Sequence, residues 1–115
     1  MSIKADIRFF QGEDYTLEVT VIDAAGDAVD ITAYTFTCTI LADYGDAGAA
    51  AGPYTIGSGI TIIDGPTGRV DVAIPDADTT GLAAGSYVYD VKRTNDGAES
   101  ILAHGSLTLV AAATL

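Results

Sequence analysis

The residues able to do covalent or metal chemistry are few in this chain: one histidine, His104, one cysteine, Cys38, and sixteen acidic residues against five basic ones. A nucleophile–base dyad or a histidine-centred metal site needs convergent titratable groups held by a rigid shell, and one histidine supplies little material for either. His104 shares strand parity with Ser106 and Thr108 and reads as an ordinary surface or interface histidine. Cys38 alternates with Phe36 and Ile40, which marks a small buried hydrophobe rather than a reactive thiol. A single thiol also excludes an intramolecular disulfide and thiolate-cluster metal sites. Carboxylates do pair along the chain, at Asp23/Asp27, Asp76/Asp78 and Glu13/Asp14, and such hard oxygens suit calcium. Ca²⁺ takes roughly six to eight oxygens, however; no EF-hand spacing is present, and aspartates are expected at β-turns anyway. No glycine-rich phosphate cradle opens a helix. The expectation is a protein that is not an enzyme and carries no cofactor or metal.

The formal charge of −11 argues in the same direction. Lys4, Arg8, Arg69, Lys92 and Arg93 are too scattered along the chain to form a phosphate-binding stripe, and the net field repels both nucleic-acid backbones and anionic membranes. No apolar run approaches the roughly 18 to 20 residues of a membrane-spanning helix. The opening MSIKADIRFF does not read as a secretion signal.

What positions these residues is a period-two pattern. Tyr15, Leu17, Val19 and Val21 alternate with Thr16, Glu18 and Thr20; Tyr34, Phe36, Cys38 and Ile40 alternate with Thr35, Thr37 and Thr39. Ala5 to Phe10 forms an earlier strand. Asp64-Gly65-Pro66-Thr67-Gly68 turns a hairpin between Ile60–Ile63 and Val70–Ile74. Tyr87, Tyr89 and Val91 lead another strand, and Ile101 to Val110 a last one in which Gly105 marks a bulge. Pro75 to Gly85 suits one helical turn or an irregular crossover. Residues 43–53, rich in Gly and Ala, are expected to form a flexible loop flanked by Tyr44 and Tyr54, which are expected to be partly buried at the loop base, the alternative being that they stack on a sugar or insert into a partner. The count predicts an all-β domain spanning 1–115, an antiparallel sandwich of about seven strands.

Two resemblances sharpen this. Leu82-Ala83-Ala84-Gly85-Ser86-Tyr87 resembles the corner before the sixth strand of immunoglobulin-like and fibronectin type III-like domains, which implies a tyrosine corner built on Leu82, Gly85 and Tyr87. Over nearly the whole chain, Gln11-Gly12-Glu13-Asp14-Tyr15, then Asp23 to Ile31 followed by Thr32-Ala33-Tyr34, Gly68-Arg69-Val70, Asp78-Thr79-Thr80-Gly81-Leu82 and the closing Gly105 to Val110 are similar to small tailed-bacteriophage and prophage proteins, notably the amino-terminal domain of phage baseplate upper proteins. That resemblance implies a virion structural protein of the tail, baseplate or fibre-adaptor region, made in the bacterial host cytoplasm. Its partners would be other virion proteins, in multiple copies within a symmetric assembly. A capsid decoration or neck protein is the alternative within that class, and a host-surface or carbohydrate-binding module the alternative outside it. The expected contacts lie at the termini, at strand edges and at the 43–53 loop, with Phe10, Tyr44, Tyr54, Val110 and Leu115 as candidate interface residues.

Overall fold

The computed structural model describes residues 3–46 and 48–114, so Leu115 lies outside the described residues. Among them the chain is nearly all β: β1 (Ile3–Lys4), β2 (Ile7–Phe10), β3 (Tyr15–Thr20), β4 (Phe36–Leu41), β5 (Ala51–Ile56), β6 (Gly59–Asp64), β7 (Arg69–Ile74), β8 (Gly85–Arg93) and β9 (Ser100–Val110), with one short helix, α1 (Asp76–Thr80). No helix among the described residues is long and apolar enough to cross a membrane.

The alternation predicted for β3 and β4 sets their inward faces. Leu17, Val19, Phe36, Cys38 and Ile40 are all buried, while Thr16, Glu18 and Thr20 face solvent. The strands follow the order β1-β9-β8-β4-β5-β6-β7-β3, with β2 also on β9. This is one hydrogen-bonded path rather than two separate sheets. The join is the short parallel contact of Thr55 with Gly59 and Ile56 with Ile60. Only Gly57 and Ser58 separate β5 from β6, and the positive φ of Gly57 and Gly59 lets the chain make a tight coil and resume its direction beside the residues it has just left. The path curls until its ends meet: the rings of Phe9 on β2 and Tyr15 on β3 stack at 4.5 Å. A single apolar cluster fills the interior, drawing Val70, Val72 and Ile74 from one half and Tyr89, Val91, Leu107 and Leu109 from the other.

Among the described residues nine strands, with parallel pairings of β1 and β2 on β9 and of β5 with β6, stand where the sequence predicts about seven antiparallel ones in a sandwich, and three local expectations also change. The first strand is broken at Ala5–Asp6 into β1 and β2, both parallel to β9. The Ala5 carbonyl turns inward to accept the buried Tyr89 hydroxyl at 2.5 Å, and the Asp6 carboxylate takes the Ser106 amide at 3.0 Å in its place. Gly105 is consequently no bulge. It pairs regularly with Tyr89, and a Cβ there would collide with the Ala5 carbonyl; the irregularity sits at Val91/Lys92 instead. The loop expected over 43–53 is shorter, because Ala51 pairs with Ile40 and is buried, which places Ala51, Gly52 and Pro53 in β5.

Candidate assembly surfaces

The tyrosine-corner residues gather at the end of the domain where β2 finishes and β8 begins. The Tyr87 hydroxyl donates to the Ala83 carbonyl at 2.7 Å, Leu82 packs against the core, and Gly85 holds a φ of +147°. Beside them Gln11 ties three segments together. Its Nε2 donates to the Leu82 carbonyl at 2.7 Å, its Oε1 accepts from Ala112 N at 3.4 Å, and its own amide bonds the Val110 carbonyl at 3.0 Å. Next to it, Gly12 N donates to the hydroxyl of Thr79 at 3.0 Å; Thr79 is a buried polar residue on α1, so its oxygen is satisfied where water cannot reach. Sequence reasoning placed Gln11 and Thr79 in motifs without a role for either side chain. The available signal was the presence of two uncharged hydrogen-bonding side chains at a turn and a helix that must meet.

Phe10 and Val110 are register partners at the same end, Phe10 half exposed and Val110 half buried, so the structure brings these two candidate contacts together. Tyr44 stands exposed on the β4–β5 connection. Tyr54 does not join it. Its ring lies against Gly59, where a Cβ would come within 2.7 Å, and only 6% of the residue is exposed. Of the two flanking tyrosines, Tyr54 is buried as the loop-base reading has it, so it drops out of the candidate contacts, and the strand start at Ala51 is what turns it into the core. The Tyr54 hydroxyl donates to Asp78 at 2.7 Å, and burial, followed by this carboxylate, pushes its ionisation upward. Asp14, Tyr54, Ser58, Ile74 and Asp78 line a groove of about 440 Å³ between the β3 and β7 ends and α1.

The paired carboxylates act as turn and corner acceptors. Asp23 takes the amides of Ala25 and Asp27, Glu13 that of Phe10 and Asp14 that of Asp76. Among the described residues no three His, Cys, Asp or Glu side chains gather as a metal site. Cys38 is buried, and burial holds its thiol up at about 12.

The outward surface of β2, β9, β8 and β4 is a regular four-stranded face. Its rows read across the register as Arg8–Thr108–Ser86, then Ser106–Val88–Leu41, then Lys4–His104–Asp90–Thr39. Burial raises the Asp90 carboxyl against the opposing pull of Lys92 and His104, while the Ser106 amide lowers that of Asp6. On the opposite outward face, formed by β6, β7 and β3, Arg69 bonds both Glu18 and Asp71.

No protein-family model matches this chain, and no curated protein matches it.

Proposed function

We propose that the chain is an immunoglobulin-like assembly module of a tailed-bacteriophage virion, in the tail, baseplate or fibre-adaptor region, that binds other virion proteins and has no catalytic role. The observation that carries this reading is the junction in which Gln11 bonds Leu82 and Gly12 bonds Thr79. The opening Gln11-Gly12 and the later Asp78-Thr79-Thr80-Gly81-Leu82, both part of the resemblance to phage proteins, are hydrogen-bonded to one another although about seventy positions apart. The strand order supports the immunoglobulin-like part: β3 pairs with β7, β8 lies between β4 and β9, and the first strand runs parallel to the last. Such a domain is a rigid support whose faces, loops and termini are available to neighbours.

Capsid decoration or a neck position is the variant of this reading. The carbohydrate-binding alternative rests on Tyr44, since Tyr54 is buried. Purified particles from a host carrying the gene, analysed by quantitative mass spectrometry, test the proposal. Co-purification at a fixed copy number supports it; a chain left entirely in the non-sedimenting fraction contradicts it.

A further inference from the structure

Charge is divided unevenly over this molecule. The outward face of β2, β9, β8 and β4, with the β1 edge, carries Lys4, Arg8 and Lys92, which are three of the five basic residues, against Asp6 and Asp90 of the sixteen acidic ones. Among the described residues both ion pairs belong to Arg69; Lys92 and Lys4 pull on Asp90 and Asp6 without closing a pair, and Arg8 is in none. Arg93 is occupied elsewhere, its guanidinium 3.6 Å above the Tyr34 ring. The end of the domain formed by the β2–β3 turn, the β4–β5 connection and the α1 segment is the converse. It carries Glu13, Asp14, Asp43, Asp46, Asp76 and Asp78, and its stretches 11–14, 42–50 and 75–84 contain no lysine or arginine. The first and last of these stretches are joined, since Gly12 bonds Thr79 and Asp14 bonds the Asp76 amide, and the β4–β5 connection reaches the same end at Ala50, which lines a depression with Asp78.

From this complementarity we infer that the β2–β9–β8–β4 face docks a second copy of this chain, taking the carboxylate-rich end of its neighbour. The face suits the task. Between its cations lie short side chains, Thr39, Ser86, Ser106 and Thr108, with apolar Val88 and Leu41, so a neighbour can approach the sheet closely. The incoming end offers Tyr44, exposed between Asp43 and Asp46, as an aromatic anchor flanked by carboxylates. Net charge does not forbid the contact, because at about 0.15 M salt charges more than roughly 8 Å apart are largely screened and the local pairs decide. The two patches are different surfaces, so the contact is heterologous and repeats from copy to copy, closing a ring or extending a filament. The inference deepens the assembly reading and rests on it only in treating the domain as a building block.

Sedimentation velocity of the purified chain tests it, with two charge-reversed variants: Arg8→Glu with Lys92→Glu on the face, and Asp43→Lys with Asp46→Lys on the end. The wild type should self-associate reversibly, and each variant alone should associate roughly tenfold or more weakly. An equimolar mixture of the two variants should associate again, because the native end of one meets the native face of the other and the reversed pair also matches. Glu18→Lys, on the opposite face, should leave association unchanged. A wild type that stays monomeric up to about 1 mM, or variants that associate as well as the wild type, would overturn the inference. Either result leaves binding to other virion proteins intact, whereas absence from purified particles would defeat the virion reading without touching this one.

Discussion

The two outward faces of the curled sheet treat their charges differently. On β6, β7 and β3 the basic residue, Arg69, is held between Glu18 and Asp71, and the face completes its own electrostatics. On β2, β9, β8 and β4 the cations Lys4, Arg8 and Lys92 are outside the ion pairs, while the carboxylate at that edge, Asp6, is hydrogen-bonded to the Ser106 backbone. Asp6 thus serves the fold, while Lys4 and Lys92 act on Asp6 and Asp90 only through space and close no ion pair among the described residues. A net charge of −11 conceals this, since it averages a nearly balanced face with strongly acidic ends.

The comparison can be broken most forcefully at Gly105. A side chain there would strike the Ala5 carbonyl, so Gly105→Val should lift β1 and β2 from β9, strand the buried Tyr89 hydroxyl and cost about 2 to 3 kcal/mol in denaturant unfolding. It should also abolish self-association, because Lys4 and Arg8 leave the face. A variant with wild-type stability would show that the strand crossing is not tight.

Alkaline pH probes the core that both faces share. Burial raises the Cys38 thiol from 9.0 and the Tyr89 phenol from 10.0, each to about 12. Both groups favour the protonated form in the fold. Their contribution is therefore complete below pH 9 and is lost as pH rises from 9 toward 12, where the unfolded chain ionises first. Denaturation midpoints should fall over that window, and Cys38→Ala should flatten the early part of the decline. A midpoint constant from pH 8 to 11 would contradict the burial.

Smaller effects separate the terminal junction from the faces. Thr79→Val keeps the shape of a buried residue but leaves the Gly12 amide unpaired, and should cost about 1 to 2 kcal/mol with association unchanged. Arg69→Ala should alter stability least and leave association at the wild-type level, as expected of exposed ion pairs. Weaker association in this variant would show that the β6–β7–β3 face also takes part.

Much of the fold was legible in the residues because period two survives wherever one side of a strand is buried, as in Tyr15–Val21 and Tyr34–Ile40. The β6–β7 hairpin was equally plain, since Gly65 and Gly68 bracket its turn. What alternation does not encode is how the chain crosses itself. The break at Ala5–Asp6 depends on Tyr89 needing an acceptor 84 positions away, and the purpose of Gly105 depends on that break. Tyr54 was open to two readings for a similar reason: a Gly/Ala stretch gives no pattern to show that Ala51 already pairs with Ile40. The docking face was illegible because Lys4, Arg8 and Lys92 are scattered in sequence and converge only when β1, β2 and β8 assemble on β9.

A density map of particles purified from a host that carries the gene is the most direct test of the account. It should contain repeated copies of this domain, each with its β2–β9–β8–β4 face covered by the acidic end of the next. A particle lacking the domain, or one in which that face is bare to solvent in every copy, would contradict it.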